Sequence, residues 1–267
     1  MIQTVLAEFA AAWRHFIHFP LPAFLSGDGE RSVYRPIDGH PALLRIMMPL
    51  LGFVLGLFIA LPLWVIGLLF PGRLISGMVG MTLVPLALEL AMSWEGLTAL
   101  TNFIDLRRQG VGLDDALAAP PTGIGEPRSG SSMILMMTVY LVRMIFCGVL
   151  AVFVPFWFMM TLCGAWLVRA ELASLSPSDG NDGLWLAVPR GLGKHHWYAA
   201  AGAMLAGGFL HPVGLLLAFA VSWAYAALAK NLCRETASGV SRQTLNIFGY
   251  GAEFVLMFLG ILLYASV

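Results

Sequence analysis

Long apolar stretches alternate with short polar segments along most of this 267-residue chain. A helix needs about 20 predominantly apolar residues to cross the hydrocarbon core of a bilayer, and several stretches reach that length. Two stretches are too long for one helix, and turn signals divide them at residues 154–156 and 211–214. The pattern predicts seven spans, at residues 46–70, 74–94, 133–153, 156–171, 197–210, 213–229 and 246–265.

Residues 2–18 differ from the spans, because apolar positions at helical spacing are mixed with charged residues and histidines. That mixture predicts an N-terminal interfacial amphipathic helix that lies along the membrane surface. Segments rich in Gly, Pro, Ser, Asp and Arg predict loops at residues 24–41, 103–130 and 173–195. The expected fold class is all-α, with about seven transmembrane helices plus this interfacial helix in one integral membrane domain, 1–267.

The composition supports a membrane protein. Hydrophobic residues make up 59% of the chain and charged residues only 11%, whereas soluble domains are about 25% charged. The formal net charge is zero, so no basic excess indicates a nucleic-acid partner, and the bilayer is the expected partner. Cys147, Cys163 and Cys233 occur singly beside apolar residues, which is typical of buried hydrophobic positions rather than of a disulfide framework.

The positions of the basic residues predict the orientation of the chain. With seven spans, every Lys and Arg except Arg73 and Arg143 falls on the side of the N-terminus. Because cytoplasmic loops carry the excess of basic residues, we expect a cytoplasmic N-terminus and an external C-terminus. Adding or removing one span would scatter these residues over both sides of the membrane.

A few ionisable residues fall inside the predicted spans or at their ends. Glu89 lies within the second span, Glu95 at its cytoplasmic end and Glu253 in the last span. A charge in hydrocarbon is costly, so each of these groups needs a partner or a function. Arg143, near the middle of the third span, is the basic residue at comparable depth, and we expect it to form a structural intramembrane pair with Glu89. A functional site at the same pair is the alternative.

The most polar part of the chain runs from Glu95 to Arg128. One interpretation is a solvated loop, and the other is a carboxylate-lined cytoplasmic pocket for Mg²⁺, which prefers oxygen ligands. The neighbouring histidines His195 and His196 lack the spacing of a metal motif and predict interfacial positions. Glycines between Gly202 and Gly208 lie in an apolar run and predict close helix packing.

Five segments, in this order, carry a resemblance to a known family. They are HFIHFPLPAF at 15–24, RIMMPLLGFVLGLFIAL at 45–61, SWEGLTALTN at 93–102, EPRSG at 126–130 and SGVSRQTLNIFGYGAE at 238–253. Their sequence and their positions relative to the spans resemble the cobalamin synthase family, adenosylcobinamide-GDP ribazoletransferase. The resemblance extends over nearly the whole chain.

The resemblance implies a membrane-embedded transferase at the cytoplasmic face of a bacterial inner membrane. Such an enzyme joins the lower-ligand nucleoside to a GDP-activated corrinoid, releases GMP and requires Mg²⁺. The resemblance assigns catalytic roles to Glu95, Asn102, Glu126, Gln243 and Glu253. It implies Glu95, Asn102 and Glu126 as metal ligands, with Arg128 and Arg169 binding the substrate phosphate.

The chain departs from the family pattern at several acidic positions. Glu95, Glu126 and Glu253 keep a carboxylate, whereas Ala99, Asn102 and Gln243 replace one and Tyr250 replaces a glutamate. Fewer negative charges weaken the binding of a divalent cation. The alternative function is therefore a catalytically inactive homologue, serving as a structural or accessory subunit with other membrane proteins or a second copy of the chain. A transporter with a buried charge relay is a third hypothesis, although the sequence shows no inverted repeat of the kind many transporters have.

Overall fold

The structure is a computed structural model that describes residues 9–10, 12–13, 16–17, 41–70, 72–119, 130–175, 195–208, 212–235 and 240–264. Within these ranges the chain is almost entirely helical and contains no strand, which confirms the all-α class. The described helices are α1 (Pro41–Leu69), α2 (Arg73–Ala91), α3 (Glu95–Arg108), α4 (Leu113–Ala118), α5 (Gly130–Phe153), α6 (Trp157–Leu172), α7 (His195–Gly208), α8 (Pro212–Glu235) and α9 (Arg242–Tyr264).

Five helices, α1, α2, α5, α8 and α9, are long and apolar enough to cross a membrane. Their outer surfaces expose large apolar side chains, including Leu74, Ile134 and Leu216 at about 70% exposure. A soluble protein rarely exposes so many apolar side chains together. The helices therefore indicate a multi-pass membrane protein. Two other predicted spans coincide with α6 and α7, which have only 16 and 14 residues.

Helix α6 forms the centre of the bundle. It is apolar on all sides, and nearly every one of its residues is buried, as expected of a helix surrounded by other helices. It packs against α1, α7, α8 and α9. Gly52 and Gly56 allow the close contact with α1, since a Cβ on Gly52 would lie 2.3 Å from the Leu162 carbonyl oxygen and one on Gly56 would lie 2.5 Å from the Met159 Cα. Small residues four apart commonly bring membrane helices together in this way.

The N-terminal segment packs on the bundle at the positions that the structure describes. The Trp13 ring lies 5.9 Å from that of Phe58, edge to face, and the Phe16 ring lies 5.4 Å from that of Trp166. Phe58 belongs to α1 and Trp166 to α6. The rest of the predicted interfacial helix lies outside the described residues.

The predicted loop at residues 103–130 is wrong over its first part, because α3 continues to Arg108 and α4 follows at Leu113–Ala118. Helix α2 ends where Ser93 and Trp94 adopt left-handed backbone conformations, with φ of 50° and 60°. A new helix can then begin at Glu95 in a different direction. This helix buries Leu97 and Thr101. Arg107 and Arg108 in its last turn are exposed, and their positive charges stabilise the negative end of the helix dipole. The high polar content of this segment hides its helical periodicity.

The predicted packing role is also wrong at Gly202. A Cβ on this residue would meet no described atom within 4 Å, and the residue is exposed. Gly80 fills such a role instead, since a Cβ there would lie 2.9 Å from the Cys147 carbonyl oxygen. Composition alone does not reveal which side of a helix faces its neighbour.

Candidate functional site

A network of buried polar side chains joins four helices inside the bundle. Arg143 on α5 forms ion pairs with Glu89 on α2 and with Glu253 on α9. Arg169 on α6 donates a hydrogen bond of 3.3 Å to the second oxygen of Glu253. Each of these four side chains is at most 3% exposed. Two arginines and two glutamates make the network neutral, which offsets the cost of burying each charge.

Tyr250 completes this network. Its hydroxyl donates a hydrogen bond of 2.6 Å to Glu89 and accepts one of 3.1 Å from Arg143, whose guanidinium also lies 4.5 Å from the centre of the tyrosine ring. Arg169 stacks on Trp166 at 4.9 Å. In the sequence, Tyr250 stands where the resembling family has a glutamate. Its position one turn before Glu253 on α9 was the signal that both side chains lie on the same side of the helix.

Glu253, predicted to be catalytic, occupies the middle of this network. Both of its carboxylate oxygens accept hydrogen bonds from arginines. A carboxylate held in this way links helices and has little capacity left for a metal ion. The predicted partner of Arg143 was Glu89 alone, so the structure adds Glu253 and Arg169 to the pair.

Some buried polar atoms in this region lack a hydrogen-bond partner within the described part of the chain. They include Nε and Nη1 of Arg169, Oε2 of Glu89 and Oε1 of Gln243. Unpaired buried donors are rare and often indicate a water molecule or a ligand. The Arg169 guanidinium lies directly against α9 at Gly249, where any Cβ would approach Nε to 2.2 Å. Glycine at this position is what allows Arg169 to reach Glu253.

The third and fifth resembling segments, residues 93–102 and 238–253, meet beside this network. Glu95, the first residue of α3, accepts a hydrogen bond of 3.1 Å from the side-chain amide of Asn246 on α9. Gly96 packs on the Tyr250 ring, which a Cβ would approach to 2.4 Å. The structure therefore brings residues 95–96 and 246–250 together across a large separation in sequence. The sequence does not predict Asn246 as a site residue, because its partner Glu95 is distant along the chain.

Gln243 and the residues around it fix the start of α9. The Gln243 amide donates a weak hydrogen bond of 3.5 Å to the Ala116 carbonyl oxygen of α4. Ser241 and Thr244 donate to the carbonyl oxygen of Leu117 at 3.2 Å and 3.3 Å. Gln243 is only 2% exposed, so its observed contacts are structural.

The implied magnesium ligands are only partly described. Glu95 and Asn102 both belong to α3, two turns apart, and Asn102 is partly exposed. Glu126 and Arg128 lie outside the described residues. Over the described ranges, no group of three or more His, Cys, Asp and Glu side chains could hold a metal ion. These residues alone do not fit a Mg²⁺ site.

The search for related proteins gave no identification. No model of a known family, no curated protein and no solved structure matches this chain. Functional conclusions therefore depend on the residues and their geometry.

A second polar cluster joins α1, α6, α7 and α8. The Glu171 carboxylate accepts hydrogen bonds from Lys230, from His196 Nε2 at 2.6 Å and from Trp197 Nε1 at 2.9 Å. On its other side, His196 Nδ1 accepts a hydrogen bond of 3.0 Å from Arg45 Nη2. His196 is 1% exposed, so its side chain is buried between the helices. Its hydrogen-bond partners, Arg45 and Glu171, come from two other helices, and no local sequence pattern indicates them.

The contacts of His196 determine its protonation state. Nδ1 faces a guanidinium, which has only donors, and must therefore be unprotonated, while Nε2 carries the hydrogen donated to Glu171. Burial lowers the pKa of His196, and the hydrogen bond to Glu171 opposes that change only in part. The histidine is therefore neutral at physiological pH.

Proposed function

We propose that this chain is a membrane-embedded transferase of the cobalamin synthase type. It would join a lower-ligand nucleoside to a GDP-activated corrinoid and release GMP. The observation that carries the proposal is the hydrogen bond between Glu95 and Asn246. It joins two segments that resemble the family and are distant in sequence, and it lies beside a buried arginine with unpaired donors.

Arg169 is the residue best suited to bind a phosphate. Its Nε and Nη1 have no partner among the described residues, and a guanidinium binds phosphate oxygens with charge-assisted hydrogen bonds. In this reaction a hydroxyl of the nucleoside forms a bond to the corrinoid-side phosphorus and loses its proton to solvent. The bond from that phosphorus to the bridging oxygen breaks, and GMP leaves with that oxygen. Arg169 would stabilise the negative charge that develops on the phosphate oxygens. Arg128, from the fourth resembling segment, is proposed to act on the same phosphates.

The proposed enzyme would also use a divalent cation. The resemblance implies Mg²⁺ held by Glu95, Asn102 and Glu126, which would neutralise phosphate charge. The described residues supply two of these ligands, and one of the two is an uncharged amide. No step of the proposed reaction is therefore assigned to the cation.

The proposed enzyme lies in the inner membrane of a bacterium. Seven spans, the interfacial helix at residues 2–18 and a cytoplasmic N-terminus would place Glu95 on the cytoplasmic side, where a nucleotide-activated substrate is available. The distribution of Lys and Arg supports this orientation.

An accessory subunit without catalytic activity is the second candidate. The observation in its favour is Glu253, whose two oxygens are both occupied by arginines. The network would then serve only to hold the helices together, and the chain would act through another membrane protein or a second copy of itself.

The two candidates are distinguished by GMP release from adenosylcobinamide-GDP and α-ribazole, with and without Mg²⁺, in detergent-purified protein. The transferase predicts release that Glu95→Ala abolishes. Asp105→Ala is the matched control, since it removes an acid from the same helix that lies away from Asn246, and it should retain activity. Absence of release, with stoichiometric copurification of another membrane protein, would support the accessory subunit. Unchanged turnover in Glu95→Ala would show that the proposed site is misplaced.

A further inference from the structure

A cleft of about 260 Å³ opens at the far end of the bundle from Glu95. It lies between the end of α1, the start of α2 and the end of α5, and its walls include Trp64, Gly67, Leu68, Arg73, Ser76 and Val152. Helix α2, with 19 residues, separates this end from Glu95 by about 28 Å. The cleft is therefore distinct from the proposed transferase site.

Arg73 gives the cleft its charge. Among the described residues of the wall, Arg73 is the one that is ionisable, and its guanidinium lies 5.2 Å from the centre of the Phe153 ring. Over the ranges that the structure describes, no carboxylate forms an ion pair with it. An arginine at a helix end, held over an aromatic ring without an acidic partner, retains donors for an anion from outside the protein.

The surroundings of Arg73 place it at a membrane boundary. Trp64 and Phe156 pack together at 6.2 Å beside the cleft, and aromatic residues are enriched where the bilayer meets water. Below Arg73 the described wall side chains are apolar except for Ser76, and Leu68 in the wall is 64% exposed. Leu74, next to Arg73, is 74% exposed. A ligand that fits this arrangement has an anionic head at the level of Arg73 and an apolar chain beneath it.

We propose that this cleft binds one anionic phospholipid. An acyl chain occupies the space beside Gly67 and Val152, where water would be unfavourable, and the headgroup phosphate binds Arg73. A basic pocket between membrane helices is a known way of retaining anionic lipids. The charge complementarity at Arg73 selects a lipid over an apolar protein helix as the occupant.

Native mass spectrometry of the full chain, extracted from vesicles of equal parts phosphatidylglycerol and phosphatidylethanolamine, tests the proposal. We expect the native chain to retain phosphatidylglycerol preferentially. Arg73→Gln should reduce that preference by about fivefold. Gly67→Phe should reduce retention of both lipids, because the added ring would occupy the cleft. A Cβ at residue 67 would lie 3.7 Å from the Ser76 Oγ, its nearest described neighbour, so the backbone need not move to accept the side chain.

Two matched variants distinguish the cleft from the general surface. Arg234→Gln removes an exposed arginine from the end of α8, and Gly202→Phe adds a ring where no described atom lies within 4 Å of the Cβ. Both should retain lipid as the native chain does. Equal retention of phosphatidylglycerol by all four variants, or equal loss in Gly202→Phe and Gly67→Phe, would overturn the proposal.

Discussion

Arg143 on α5 and Glu253 on α9 form an ion pair inside the bundle, with side chains that are 2% and 3% exposed. The same guanidinium pairs with Glu89 on α2, so one arginine joins three helices. The pair differs from a surface salt bridge because neither group can regain its hydration when the partner is lost. The effect of this ion pair on the stability of the folded protein is therefore seen mainly when one of its two charges is removed.

Replacing Arg143 with methionine should strongly destabilise the bundle. Glu89 would lose its cationic partner and Glu253 would keep only Arg169, so at least one buried carboxylate would be left uncompensated. Removing one member of a buried pair costs about 3–5 kcal/mol. Thermal unfolding of the purified protein in detergent would measure the loss, with Arg73→Met as a control that removes an arginine without an acidic partner in the described structure.

The double variant Arg143→Met with Glu89→Gln separates charge from packing. It leaves Glu253 paired with Arg169 and restores electrical neutrality. If uncompensated charge is the cause, this variant should be more stable than Arg143→Met alone. Equal stability of the two would mean that the size and shape of Arg143 matter more than its charge.

Gly52→Ala and Gly56→Ala should each destabilise the contact between α1 and α6. Each added Cβ would approach backbone atoms of α6 within 2.5 Å, and the helices must separate to accept it. Gly202→Ala is the matched control, because its Cβ meets open space and alanine favours a helix by about 1 kcal/mol. We expect lower unfolding temperatures for the first two variants and no decrease for the third. A decrease of equal size at Gly202 would contradict this packing.

The helical class and the apolar spans could be predicted because they depend on local hydropathy. The turn from α2 into α3 could not, since it depends on the left-handed conformations of Ser93 and Trp94, which neither residue type favours. Helix α3 was missed for a related reason. Its polar composition is typical of a loop, and only the burial of Leu97 and Thr101 by neighbouring helices shows the amphipathic pattern.

The charged network could be anticipated in part. Glu89, Arg143 and Glu253 are conspicuous because ionisable residues inside apolar stretches are rare. Which of them pair depends on how four helices pack, and that arrangement is not encoded in any short segment. Asn246 and His196 carry no such signal, since an amide or a histidine near a helix end usually faces water. Their roles depend on Glu95 and Glu171, which are distant in sequence.

Acidification should destabilise the cluster around His196. This histidine faces Arg45 on α1, Glu171 on α6 and Lys230 on α8 through a shared hydrogen-bond network. Because burial lowers its pKa in the folded protein, the unfolded chain binds more protons, and stability rises with pH in this range. The stabilising contribution is present above the unfolded value of about 6.5 and is lost as the pH falls through the folded pKa.

Unfolding temperatures at about pH 7.5 and about pH 5.5 would measure this effect. The native chain should be less stable at the lower pH. His196→Gln should show a smaller difference, since glutamine cannot be protonated in this range. His195→Gln, at the exposed neighbouring position, should retain the native response. A native response in His196→Gln would assign the pH dependence to another group.

Cysteine labelling provides a test of the membrane orientation. The three native cysteines are all buried, so a membrane-impermeant maleimide should label the native chain poorly in intact cells. Gly72→Cys places a thiol at the exposed start of α2, where its Cβ meets no described atom within 4 Å, and Arg108→Cys places one at the exposed end of α3. With a cytoplasmic N-terminus and seven spans, the thiol at residue 72 should be labelled from outside the cell and the thiol at residue 108 only after the membrane is permeabilised. Labelling of residue 108 in intact cells would show that the orientation is the opposite one. Glu95 would then lie on the outer side, away from a cytoplasmic nucleotide substrate.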